Sequence, residues 1–136
     1  MKKLIFLSLL TGLMACSDTP APPPAQVQPR TGPDALNGRQ LFRECAVCHT
    51  ATAEGAHRIG PNLWGVYGRE SGMASGFAYS NALKNADIVW DDAALDAYLE
   101  NPPKYIPNGR MAYRGQPNPL AREDLIAYLK TLRDEE

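Results

Sequence analysis

The chain has 136 residues, enough for one domain, and a net charge of −1. That balance excludes a general electrostatic attraction to nucleic acid. Prolines number 12 and glycines 11, and six of the prolines (positions 20, 22, 23, 24, 29 and 33) crowd one stretch near the N-terminus.

Lys2 and Lys3 open the chain, and the apolar run "LIFLSLLTGLM" follows. The run is short for a bilayer span and reads as the core of a signal peptide over 1–15. It ends in "LMAC", Leu13 to Cys16. This resembles the lipobox of bacterial lipoproteins, which implies cleavage before Cys16 and lipidation of that cysteine. Two or three acyl chains on one residue anchor a protein stably where one does not. The segment 16–33 then reads as a lipidated cysteine and a proline-rich linker. Its composition builds no core and favours extended conformations. Fully extended, it reaches about 50 Å.

The domain is expected over 34–136, with 11 Lys and Arg against 14 Asp and Glu. Asp34 is placed to cap a helix through "ALNGRQLFREC", 35–45. Residues 60–77 hold five glycines and read as looping chain. Ser80 suits the cap of a short helix, "NALKNA". Asp91 suits the cap of a helix over 92–101, with Leu95, Tyr98 and Leu99 on one face and Pro102–Pro103 as its stop. A last helix starts near Pro119, with Leu125, Tyr128, Leu129 and Leu132 as its apolar stripe. No segment alternates over a strand length, so the fold class is all-α with long loops. Loops this long in so small a domain imply that something else fills its centre.

The stretch "CAVCHT" narrows what that is. Cys45 and Cys48 could form a redox dithiol, but such a pair wants a helix N-terminus after a strand, and Cys45 falls late in its expected helix. Cys45, Cys48, His49 and His57 could bind zinc, but adjacent Cys48 and His49 would have to share one ion. Cys-x-x-Cys-His is also the pattern of covalent haem attachment. Two thioether bonds hold the ring, and the next residue, His49, falls under the iron. The pattern alone is moderately specific. Met111, in "PPKYIPNGRMAYRG", offers a sixth ligand. It lies between Tyr105 and Tyr113, after Pro107, whereas Met73 lies in the glycine-rich loop.

Taken together, "CAVCHT", "GPNLWGVYGR", "GFAYSNA", "YLENPPKYIPNGRMAYRG" and "REDLIAYLK" resemble class I c-type cytochromes of the mitochondrial and soluble bacterial type. The resemblance spans about 38–136. It implies the cytochrome c fold, helices and loops wrapped around one haem c held by Cys45 and Cys48. It implies an electron carrier, not an enzyme, with His49 and Met111 as axial ligands and the carbonyl of Pro61 orienting His49. It places Arg69, Tyr79 and Trp90 near the haem propionates and Tyr98 near Met111. Gly38 and Phe42 would meet Leu125 and Tyr128. His57 is expected to tie loops together by hydrogen bonds. The implied partners are redox proteins such as a respiratory complex, oxidase or dehydrogenase, met by a monomer on the periplasmic side of a bacterial envelope and lipid-anchored to its membrane.

Several positions depart from the family. Glu44 precedes the first haem cysteine, Pro103 replaces a lysine, and "QPNP", 116–119, replaces a lysine cluster. Leu83 and Gly109 stand where polar residues are usual. The expected surface is a mildly basic haem edge on an acidic body, with docking less sensitive to salt than in lysine-rich relatives. Two rivals remain at this level: a haem peroxidase that works by losing Met111, and a lipoprotein that binds a metal without haem.

Overall fold

The computed structural model describes residues 30–133. The expected signal peptide, Cys16 and most of the expected linker fall outside the described residues. Five helices follow in order: α1 (Ala35–Leu41), α2 (Asn81–Lys84), α3 (Asp92–Glu100), α4 (Pro102–Tyr105) and α5 (Pro119–Lys130), with one 3-10 turn at Cys45–Val47. Among the described residues the only β pairing is an isolated antiparallel bridge, Glu70 to Val89. The fold is all-α, as the sequence predicts.

Local chemistry starts each long helix. Asp34 accepts from the backbone N–H groups of Leu36 and Asn37, and Asp91 accepts from that of Ala94. Asn118 caps α5 just before Pro119, whose missing N–H costs nothing at a first turn. Three expectations need correction. The first helix does not run unbroken to Cys45. After Leu41 the bonds tighten, with Arg43 N–H on Gln40 O and Glu44 N–H on Leu41 O at 3.3 Å each. Nor do Pro102 and Pro103 simply stop α3. Asn101 caps a new helical turn through Lys104 N–H, and the prolines open it. The short helix after Ser80 ends at Lys84, two residues before its expected end.

The core forms where α1 crosses α5 and α3 lies beside α5. Phe42, Leu95, Leu99, Leu125, Leu129 and Leu132 are all buried. Each contributes about 1.5–3 kcal/mol by leaving water. Gly38 and Phe42 meet Tyr128 as expected, and the Phe42 and Tyr128 rings lie 5.1 Å apart. Around this core stands a second, half-buried set: Cys45, Leu63, Trp64, Tyr67, Leu83 and Tyr98. They pack against the core and stay partly open to solvent.

Candidate haem site

The 3-10 turn places Cys45 and Cys48 on one short bend, where Cys48 N–H donates to Cys45 O at 3.0 Å and His49 N–H to the same oxygen at 2.9 Å. Both cysteines are free thiols and half-buried. Burial, followed by the Glu44 carboxylate, pushes the Cys45 thiol up to about 11. A redox dithiol requires the opposite, a stabilised thiolate. Among the described residues no group of three or more Cys, His, Asp or Glu side chains could hold a metal ion, which removes the zinc reading.

His49 Nδ1 donates to the carbonyl of Pro61 at 2.7 Å. That bond fixes the tautomer and leaves Nε2, with its lone pair, as the nitrogen that can bind a metal. Burial lowers the His49 pKa, and the bond to Pro61 offsets part of that. The neutral ring is the form that ligates. Gly60 makes room for the imidazole. A Cβ there would lie 2.3 Å from His49 Cε1. The sequence marked Gly60 only as one glycine of a loop.

Met111 is half-buried in the long loop between α4 and α5. Asn108, at φ +64°, turns the chain just before it, and Gly109 N–H donates to Ile106 O at 3.1 Å. Arg110 donates to Ala78 O, tying this loop to the 77–79 segment. Beyond the methionine, Gly115 has φ +94°, and a Cβ there would lie 2.0 Å from Glu100 O. Buried Arg122 holds the next residues, donating to Gln116 O at 2.9 Å and Pro117 O at 3.2 Å, with Asp96 as its carboxylate partner at 2.7 Å. The loop is therefore pinned on both sides of Met111. Neither Gly115 nor Arg122 stood out in the sequence, because their partners are distant in the chain. Burial, then the charges of Cys45 and Glu44, raises the Tyr113 pKa.

The remaining candidates form one group. Arg69 donates to Trp64 O at 3.0 Å and Asn62 O at 3.3 Å. Burial raises the Tyr79 pKa, and a hydrogen bond to the Ala74 backbone, then the nearby Arg69 charge, oppose it. Burial, then Tyr79 beside it, pushes the Tyr98 phenol up to about 12. The Tyr98 ring lies 5.0 Å from Trp90 and 6.2 Å from Tyr105. His57 spends both ring nitrogens on loop ties. Nε2 donates to Ser75 O at 2.7 Å, and Nδ1 accepts from Asn62 N–H at 2.9 Å. Leu83 packs against the core, as an apolar replacement should.

Two half-buried thiols, a histidine presenting Nε2 over a glycine, a pinned methionine loop and a half-buried apolar set beside the core fit a covalent haem. The class this defines is a c-type haem protein built for electron transfer.

The comparisons agree. The family model for cytochrome c matches residues 35–133. Cytochrome c of Euglena viridis is 51% identical over 102 residues, 74% of this chain and 99% of its own length. Cytochrome c of Chlamydomonas reinhardtii is 49% identical over 71% of this chain and 88% of its own. Cytochrome c2 of Rhodopila globiformis is 45% identical over 74% and 94%. The chain belongs to the cytochrome c family. It carries one haem c, bound through Cys45 and Cys48, and works as a monohaem electron carrier, not an enzyme.

Proposed function

We propose that this protein is a lipid-anchored electron carrier on the periplasmic side of a bacterial membrane. His49 and Met111 would hold its haem iron. The observation that carries the ligand reading is the bond from His49 Nδ1 to Pro61 O, which presents Nε2. Bound there, haem supplies a one-electron ferric–ferrous couple. The protein supplies the rest. Pro61 holds the imidazole in one orientation, and the pinned loop holds the Met111 thioether. A thioether favours the ferrous state, and burial disfavours the extra positive charge of the ferric state. Both raise the potential. Arg69, Tyr79 and Trp90 offer donors to the haem carboxylates, whose burial unpaired is costly. Tyr98 is assigned to the Met111 side of the haem. With His49 and Met111 both holding the iron, oxygen, peroxide and substrates would be shut out, and outer-sphere transfer would remain.

The anchor reading rests on "LMAC" and the proline-rich segment after it. Tethering raises the effective concentration of the carrier near partners in the same membrane. Those partners are redox proteins: a respiratory complex, an oxidase or a dehydrogenase. The carrier works as a monomer.

Two measurements test this. Cells fed an alkyne-tagged fatty acid should label the wild-type chain, and Cys16→Ser should abolish the label. A chain whose residues 1–16 are replaced by a leader cleaved without lipidation should move to the aqueous fraction. An unlabelled wild type, or that leader-swapped chain still in membranes, would overturn the anchor. A redox titration should give a positive potential with the sulfur–iron absorption band present at neutral pH. A strongly negative potential would overturn the ligand reading.

A further inference from the structure

The two segments that carry Arg69 and Trp90 are paired through their backbones. Gly68 N–H donates to Trp90 O at 3.0 Å, and Trp90 N–H donates to Arg69 O at 3.0 Å. Ser71 N–H donates to Ile88 O at 2.7 Å and closes the pairing at one end. At the other end side chains close it. Tyr67 Oη donates to Asp92 Oδ2 at 2.6 Å. Lys130, the last residue of α5, takes the other oxygen of that carboxylate, with Nζ 2.6 Å from Oδ1. The same Nζ lies 4.8 Å from the centre of the Tyr67 ring. A loop, the first residue of α3 and the end of α5 thus converge on one carboxylate.

Stability alone is a poor reason for this cluster. The Asp92 side chain is 60% exposed and that of Lys130 is 39% exposed, and exposed ion pairs contribute little. What the cluster fixes is backbone position. Tyr67 stands two residues before Arg69, and Asp92 two residues after Trp90. Between Tyr67 and Arg69 lies Gly68 at φ +80°, a backbone state that glycine enters and leaves easily. The Arg69 guanidinium spends Nη1 on Trp64 O at 3.0 Å and Nη2 on Asn62 O at 3.3 Å. The direction of its remaining N–H groups therefore follows the backbone that carries it. The bond to Asp92, foremost, raises the Tyr67 pKa, so the phenol keeps its proton as the donor.

We infer that Tyr67, with Asp92 and Lys130, is a positioning lock on Arg69 and Trp90, and that it tunes the reduction potential by way of them. The inference rests on the reading of Arg69 and Trp90 as donors to the haem carboxylates. With the lock closed, Arg69 keeps its positive charge in place against those carboxylates. With it open, their negative charge is less compensated, and a positive ferric centre becomes easier to form. Tyr67, Asp92 and Lys130 act through Arg69 and Trp90 and have no step of their own.

Tyr67→Phe tests this, since it removes only the hydroxyl and no charge. In the holoprotein, amide hydrogen exchange at Gly68 and Trp90 should quicken about tenfold. Exchange at Phe42, whose N–H donates to Gly38 O at 2.8 Å, should stay as it is. The ferric-to-ferrous ratio at a fixed applied potential should rise about threefold, a fall of about 28 mV in midpoint potential at about 59 mV per tenfold. On an Asp92→Ala background the same change at Tyr67 should shift the potential no further. Thr131→Val removes another surface bond at the end of α5, from Thr131 Oγ1 to Tyr128 O at 2.7 Å, and should move neither reading. A lowered Tm with exchange and potential unchanged would reduce Tyr67 to a structural residue and overturn the lock. So would an equal shift from Thr131→Val, or an undiminished shift on the Asp92→Ala background. Arg69→Gln separates the two levels and should lower the potential further than Tyr67→Phe. An unmoved potential in Arg69→Gln would overturn the carboxylate reading beneath, whereas a fall there with none in Tyr67→Phe would overturn the lock alone.

Discussion

Gly38 of α1 presses directly on the backbone of Asp124 in α5. A Cβ on Gly38 would lie 1.9 Å from the Asp124 carbonyl oxygen and 2.9 Å from Tyr128 Cβ. Neither backbone can yield without separating the two helices. Gly38→Ala should therefore destabilise the holoprotein by about 3 kcal/mol or more, despite the better helix propensity of alanine. In a domain this size that lowers Tm by about 10–20 °C. Thermal unfolding followed by circular dichroism checks it. An unchanged Tm would mean that the helices cross elsewhere.

The Asp124 side chain makes a second, separate contact. Its carboxylate is fully buried and accepts from Asp34 N–H at 2.7 Å, Asn37 Nδ2 at 2.7 Å and Arg30 at 2.5 and 3.1 Å. Burial alone would raise its pKa, but the bonds from Asp34, Asn37 and Arg30 win and hold it below the ordinary 3.8. A depressed carboxylate contributes stability that is present above its unfolded value and lost as pH falls through the folded one. The contribution should hold above about pH 4 and fade below. Asp124→Ala leaves three donors without their acceptor and should cost about 3 kcal/mol at pH 7. Arg30→Ala keeps the other bonds and should cost about 1–3 kcal/mol. Denaturant titrations at pH 7 and pH 3 should show both penalties shrinking in acid.

How legible this was depended on range. Asp34, Ser80, Asp91 and Pro119 sit within a few residues of the backbone groups they serve, so their roles could be read directly. The stripe of Leu125, Leu129 and Leu132 is equally local, a matter of 3.6-residue spacing. Asn101 before Pro102 is itself a helix-start pattern, but the double proline drew attention as a stop. What escaped lies far apart in the chain. Arg30 pairs with Asp124 across 94 positions, and no periodicity points to it. Asp124 lies early in α5, where an acid suits the helix dipole, yet it is a buried acceptor. At the site, the five-residue cysteine pattern and the methionine were visible. The glycine beneath His49 and the arginine pinning the methionine loop were not, because each is defined by an approach distance that only the fold creates.

Gly60 shows how much the site depends on such distances. Gly60→Ala forces a Cβ to within 2.3 Å of the His49 ring unless the ring or the loop moves. Movement strains the bond from Nδ1 to Pro61 and tilts Nε2. The variant should still attach haem, because Cys45 and Cys48 are untouched. Its ligation should weaken, with high-spin character in the absorption spectrum and faster binding of added cyanide or imidazole. A low-spin spectrum and wild-type ligand-binding rates would show that the loop accommodates the methyl group freely.

Met111 and Met73 give the last contrast. Met73 is 62% exposed in the glycine-rich loop, while Met111 is half-buried in a loop fixed by Arg110, Gly115 and Arg122. Only the second lies in a loop held by the fold, which is why it is the proposed iron ligand. Met111→His replaces a soft ligand with a harder nitrogen donor and removes the preference for the ferrous state. The potential should fall by roughly 0.1–0.3 V, a fraction of the roughly 0.8 V range that axial ligands command. Met111→Ala should open the sixth position, remove the sulfur–iron band and admit peroxide. Met73→Leu should change none of these. Redox titration and near-infrared absorption separate the cases. If Met73→Leu removed the band and Met111→Ala kept it, the ligand assignment would be reversed.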